Sequence, residues 1–472
     1  MAIAPSVSAS TDPRPVEDDS PPVNAPGLNY FVFGLFFIFG GITSLNDVII
    51  PKLKELFTLS YTEAMLVQFC FFAAYLVIGI PGAKLVKKIG YMRGAVAGLC
   101  TMIVGCLLFI PASQTATYEI FLGALFILAS GVVIVQVVAN PLISLLGPPS
   151  TTHSRLTFAQ AFNSLGTTVF PIVGAAVILG SLANVSADDL SGAQLQAYRA
   201  AESEAIWQGY LGVAALIALV AAAVWMFRNR LPHDPKIMGE GDLVSSSRYL
   251  VGLAIAAVGA FIAFQLSGVV GVLIILLAPA VWLYDNDLLK RARFSYGALC
   301  IFLYVGAEVS IGSIMINYLS TERVLGEPES VIGWMIGLYW GGAMVGRFIG
   351  SAALRMFSPG KILAFNATGS ILLIIISALS SGEVAAYTLL AVGLMNSIMF
   401  PTIFSLACEK LGPRAADGSG IINVAIFGGA IVPLLYGTVA DGTGGNLALA
   451  MIIPIVCYAI IAGFGLFARR PA

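Results

Sequence analysis

The sequence predicts an all-α polytopic membrane protein. It would be built from two pseudo-symmetric six-helix bundles, twelve transmembrane helices in all, with a further two-helix hairpin that would raise the count to fourteen. Three observations carry this. The 472-residue chain has only 10% charged residues, where a soluble chain carries about 25%, and its mean hydropathy is +0.92. Its apolar residues fall in runs of the roughly 20 residues that cross a bilayer as a helix. Its basic residues collect in alternate connecting segments, as they do in a chain threaded back and forth through a membrane.

Residues 1–27 hold six prolines together with Ser and acidic residues, a composition that stays disordered. This segment reads as a cytoplasmic tail; it lacks the basic start of a signal peptide. The runs that follow are 28–51, 61–86, 94–112, 118–146, 155–182 and 204–228, which form an N-terminal bundle over 28–228. A linker over 229–293 is polar at first and then apolar again over 249–267 and 269–284, the candidate hairpin. The runs 294–320, 331–354, 361–380, 384–407, 419–440 and 446–468 make a C-terminal bundle over 294–468, with 469–472 as a short cytoplasmic tail.

Charge sets the orientation. With the N-terminus inside, 20 of the 24 Lys and Arg residues lie in inner segments and four (Lys52, Lys54, Arg199, Arg323) outside. The region 249–284 must therefore cross twice or not at all, because a single crossing would put Arg347, Arg355 and Lys361 outside. A formal net charge of −1 offers no basic surface for nucleic acid. The six cysteines lie in apolar stretches without paired spacing, so neither a zinc site nor a disulfide framework is expected. Both histidines, His153 and His233, fall in inner loops, where solvated rings are expected. No nucleophile constellation or phosphate loop points to an enzyme.

The halves repeat weakly. Gly82 is followed by Lys87 and Arg93 at +5 and +11; Gly350 is followed by Arg355 and Lys361 at the same offsets. Both sets fall between the second and third spans of their half. Two marked bundles suggest a transporter that rocks about a site near the midplane, with these four cations as gating residues. Their acidic partners are not apparent in the sequence.

Polar side chains inside spans face the bundle interior, because lipid cannot satisfy them. Asn46 and Asp47 lie in span 1 and Gln68 in span 2. Gln136 and Asn140 are four apart in span 4, hence on one face, with Pro141 bending the helix. Gln160 and Asn163 share a face in span 5. The second half offers Glu308 four residues after Tyr304, then Asn317, Tyr339, Trp340, Asn396 and Asn423. Amides both donate and accept, which suits a hydroxyl-rich solute, and a flat indole suits the C–H face of a sugar ring. Each amide has a plainer reading as a bridge between helices. Asp47 resists that reading, since no basic residue precedes Lys52 in its span.

The stretches "SLNDVIIPKLKELFTLS", "VANPLISLLGPPSTTHSRLTFAQAFNSLG", "CIFLYVGAEVSIGSIMINYLS", "LYWGGAMVGRFIGSAALR" and "NSIMFPTIFSLACEKLGP" together resemble the fucose/glucose/galactose branch of the major facilitator superfamily, and most nearly its bacterial glucose/galactose transporters. The resemblance implies a monomeric inner-membrane symporter, without cofactor, importing a hexose with a proton; sodium is the second candidate ion. It implies a coupling role for the acid of the "LND" motif, Asp47, and sugar-facing roles for Gln160 and Asn163. Fucose symporters carry a second acid in span 4 where this chain has Gln136, and an amide cannot titrate. The expected substrate-binding set is Asn46, Gln136, Asn140, Gln160, Asn163, Asn317, Trp340 and Asn396, with Asp47 and Glu308 for the cation. Two alternatives stand beside this: a drug/proton antiporter, whose cavity would carry fewer amides, and a non-transporting sugar sensor.

Overall fold

The structure, a computed structural model, describes residues 26–57, 61–115, 117–174, 192–229, 243–265, 268–284 and 286–469; the side chains of 45–68 lie outside the described residues. Every regular element among the described residues is helical. In the first half these are α1 (Pro26–Phe57), α2 (Tyr61–Ile89), α3 (Tyr91–Thr115), α4 (Tyr118–Leu145), α5 (Thr152–Gly174) and α6 (Ala193–Met226). The linker forms α7 (Ser246–Gln265), α8 (Gly268–Ile275) and α9 (Leu277–Leu283). The second half has α10 (Ala292–Leu319), α11 (Ile336–Met356), α12 (Pro359–Leu379), α13 (Gly382–Asn396), α14 (Met399–Ala407), α15 (Ala415–Ala425), α16 (Gly428–Gly442) and α17 (Ile452–Phe467); one-turn segments are left unlabelled.

Ten helical stretches among the described residues are long and apolar enough to cross a membrane. The two expected spans outside that set are α5 and α11. They pack against each other across the halves, so their polar residues meet protein rather than lipid. Spans 10 and 11 are each broken, α13/α14 at Ser397–Ile398 and α15/α16 at Ile426–Phe427. All four of these residues are buried, the setting in which a bilayer tolerates irregular backbone.

The weak sequence repeat becomes a repeated packing. In the first half α1 packs on α5, α2 on α4, and α3 on both α4 and α6. In the second, α10 packs on α15/α16, α11 on α13, and α12 on both α13 and α17. Small residues permit these approaches. A methyl on Gly166 of α5 would strike the Phe37 carbonyl of α1, and one on Gly428 would strike the Phe302 carbonyl of α10. Gly90, at φ 87°, makes the one-residue turn between α2 and α3.

The halves meet through α2 with α15 and α16, α5 with α11 and α14, and α4 with α15. Gly79 of α2 approaches the Gly420 backbone of α15 closely enough that a methyl at either would collide. These contacts run from the end that carries the basic loops into the middle of the molecule.

The linker folds as a helical hairpin, α7 packing on α8 and α9. Trp282 is buried, donates from Nε1 to the Tyr249 carbonyl at 2.9 Å and stacks on the Tyr249 ring at 5.3 Å. Leu250, Val258, Phe261 and Leu273 stay exposed.

Candidate functional site between the two bundles

The break in span 10 organises the C-terminal half of the interface. Three carbonyls that the broken helix leaves open are met by side chains. Asn366 Nδ2 donates to the Met395 carbonyl at 2.8 Å, Tyr304 Oη to Asn396 at 3.0 Å, and Arg347 Nε to Ser397 at 3.0 Å. The Ser397 carbonyl lacks a helical donor because the residue four ahead is Pro401, which has no N–H. Arg347 then reaches into the other bundle. Its Nη1 donates to the Gln160 carbonyl at 3.2 Å and makes a short bond to Ser164 Oγ. Charge counting assigns Arg347 to an inner loop; the structure instead buries it within α11, at 9% exposure. A planar guanidinium can serve three acceptors at once in this way.

Tyr304 also donates to Glu308 Oε1 at 2.8 Å. One phenol thus ties the half-buried acid of α10 to the break in span 10, since an O–H can swing between two acceptors. Asn396 is fully buried, donating from Nδ2 to Tyr339 Oη at 2.9 Å and accepting from Ser370 at 3.4 Å. Both ends of its amide have protein partners inside the C-terminal bundle. Trp340 stands edge-on to Tyr339 at 5.0 Å with 38% of its surface exposed, and Asn317 is exposed.

In the first half Gln136 is buried and donates from Nε2 to Tyr75 Oη at 2.8 Å. Asn140, one turn on, is 1% exposed, and neither its Oδ1 nor its Nδ2 has a protein partner. An amide buried in that state costs about 1–3 kcal/mol, a burden that a ligand hydroxyl would relieve. Gln160 is buried at the Arg347 contact, and Asn163 turns toward α1, its Nδ2 3.4 Å from the Phe36 carbonyl. Asn46 and Asp47 lie on the helical backbone of α1, but their side chains are outside the described residues.

At the basic end the two +5 residues of the repeat do matching work. Lys87 Nζ pairs with Asp417 Oδ2 at 3.1 Å, joining α2 to the first turn of α15. Arg414 supports the same oxygen at 3.4 Å. Arg355 Nε donates to Ser154 Oγ at 3.1 Å, joining α11 to the first turn of α5, and Ser154 donates to the Ser351 carbonyl at 2.7 Å. The +11 residues Arg93 and Lys361 are exposed and take no part in these bonds. His153 is not solvated as its loop position suggested: Nδ1 lies 2.7 Å from Ser405 Oγ of the other bundle. Burial, with Arg293 as a second cause, pushes its ring down to about 4.

Two halves with matching packings, met at polar broken helices, are a transporter's architecture. A family model described as the Major Facilitator Superfamily matches residues 32–434. The chain belongs to the major facilitator superfamily. It is 43% identical to the glucose/galactose transporter of Brucella abortus over 436 residues, 92% of each chain. It is 32% identical to the L-fucose-proton symporter of Escherichia coli over 445 residues, 93% of this chain and 92% of that one. Among solved structures, FucP in the outward conformation matches with a TM-score of 0.77 and 30% identity, covering 94% of this chain and 99% of FucP. These superfamily relatives are transporters and not enzymes.

Within the superfamily scaffold, sequence reasoning missed Arg347, Asp417, Ser154 and Tyr75. A signal for Arg347 existed: it lies nine residues before the end of its helix, too deep for a loop. Asp417 carried none, because nothing in the sequence says which helix end lies opposite Lys87.

Proposed function

We propose that this protein is a secondary active transporter that imports a hexose, glucose or galactose, by cation symport across the inner membrane, with both termini cytoplasmic. The proton is the favoured coupling ion. The observation that carries the reading is the unpartnered, buried Asn140 amide, set one turn from Gln136 on a helix that packs against α1, α2, α5 and α15. The full-length likeness to a glucose/galactose transporter supports the sugar, and the likeness to a fucose-proton symporter supports the ion.

In this reading the sugar lies between the bundles, held by Asn140, Gln136, Gln160 and Asn163 from one side and by Trp340 and Asn317 from the other. A carboxyl within a membrane span that carries no basic residue beside it in sequence favours its neutral form, and none precedes Lys52 in the span of Asp47. In this reading Asp47 holds a proton when the site faces outward and releases it when the site faces inward. Glu308, held by Tyr304, is the second coupling acid, replacing the one that Gln136 does not supply. Lys87–Asp417 and Arg355–Ser154 close the cytoplasmic end while the site faces outward. One charge crossing 100 mV yields about 2.3 kcal/mol, which supports roughly 40-fold accumulation.

The test is uptake of labelled glucose and galactose into proteoliposomes, with pH and sodium gradients imposed separately. Asp47→Asn should keep sugar exchange and lose uphill accumulation under a pH gradient. Full accumulation by that variant would remove Asp47 from coupling. Accumulation driven only by sodium would replace the proton.

A further inference from the structure

Pro81 sits inside α2, and its nitrogen is the atom that would donate to the Val77 carbonyl in an unbroken helix. That nitrogen has no hydrogen, so α2 cannot satisfy Val77 by itself, and the bilayer offers no water to do so. Tyr249 Oη, from the linker hairpin, donates to the Val77 carbonyl at 2.5 Å. The hydroxyl is well placed because the ring is held: Trp282 stacks on it and bonds its backbone, and a methyl on Gly252 would strike the indole. Lys84, two turns beyond Val77 toward the basic end, bonds the Val244 carbonyl at the foot of the hairpin. The molecule uses the same device in span 10, where Arg347 Nε meets the Ser397 carbonyl stranded by Pro401.

The segment of α2 so supported carries the interface. Gly79 packs on Gly420, Ala83 on Gly420, and Lys87 pairs with Asp417. We propose that Tyr249 is a positioning residue for alternating access: its hydroxyl replaces the backbone donor that Pro81 removes, so that the hairpin holds the Pro81 segment of α2 against α15 and favours closure of the cytoplasmic end. The inference rests on the alternating-access reading above. It assigns the hairpin a task that the two bundles cannot perform alone.

The test reads the conformational equilibrium directly. Nitroxides are placed at Lys88 and Phe357, both exposed near the basic ends of opposite bundles, in a background without the six native cysteines. Pulsed dipolar spectroscopy then gives the ratio of closed to open cytoplasmic ends. Tyr249→Phe should shift that ratio toward open by about 3- to 18-fold, the range expected for one hydrogen bond inside a membrane protein. Pro81→Ala returns the missing N–H, so Tyr249→Phe in that background should change nothing; Pro81→Gly does the same if the alanine variant fails to assemble. An unchanged ratio in Tyr249→Phe, or an equal shift with and without Pro81, overturns the proposal. A wild-type ratio that ignores added sugar, beside an intact Tyr249 effect, would overturn the transport reading while leaving the role of the bond standing.

Discussion

The pair Lys87–Asp417 gives the strongest handle on closure. Its side chains are 10% and 3% exposed, at 3.1 Å, so both charges have left water. Truncating one partner of such a pair typically costs 3–5 kcal/mol. Here Arg414 stays 3.4 Å from the same Asp417 oxygen and is itself 34% exposed, so Asp417 keeps a partly solvated cation. The loss from Lys87→Met is therefore nearer that of one charged hydrogen bond, about 1.5–3 kcal/mol. The pair spans the two bundles, so the whole of that loss falls on the closed state, and the open fraction should rise about 10- to 150-fold. The assay uses Ser351→Cys in a cysteine-free background, since Ser351 is 8% exposed and its carbonyl accepts from Ser154 across the interface. A membrane-impermeant thiol reagent applied to the cytoplasmic face should label it faster by that factor. The exchange Lys87→Asp with Asp417→Lys should restore most of the protection. Labelling within about twofold of wild type in Lys87→Met, or no recovery in the exchanged pair, would refute the reasoning.

Asn140→Leu should raise the melting temperature by removing an unpaired amide, since such a group costs about 1–3 kcal/mol, yet weaken sugar binding at least about tenfold; calorimetry and equilibrium binding check the two halves separately. Arg347→Lys cannot reach Ser397, Gln160 and Ser164 together, and uptake should fall by about tenfold or more while the protein still inserts. His153 has its ring pushed down to about 4, below the ordinary value near 6.5. The unfolded chain then binds the extra proton first, so this residue's contribution to stability is full above about pH 6.5 and is lost as pH falls toward 4. Melting curves should show that slope and lose it in His153→Gln, while the pH profile of uptake between about 6.5 and 8 stays unchanged.

The twelve spans were legible because a bilayer imposes one length and one polarity on every helix that crosses it. The repeat was legible at Gly82/Lys87/Arg93 and Gly350/Arg355/Lys361, and the structure gives it meaning at +5 and none at +11. Inward amides were found by their cost in lipid, but cost does not separate Asn140, unpartnered, from Asn396, partnered by Tyr339 and Ser370. That difference depends on neighbours from other helices. Arg347 was misplaced because counting charges assigns every cation on the inner half of a span to the inner loop, whereas this one answers to a carbonyl stranded by Pro401 on a different span.

The two contacts between the halves at the basic end occupy matching positions and use unlike chemistry. Duplication fixes geometry: the +5 residue of each half reaches the first turn of the fifth span of the other. It does not fix the acceptor, which is a carboxylate at Asp417 and a hydroxyl at Ser154. An acid in the first turn of α15 also gains from the helix dipole, whereas Ser154 gains instead by donating onward to Ser351. The α2–α15 side therefore holds by charge and the α5–α11 side by a chain of neutral acceptors, anchored deeper by Arg347. A buried pair is screened far less than a surface one, so on the alternating-access reading added salt should weaken closure only once water has reached the α2–α15 side, and Lys87→Met should abolish that salt dependence.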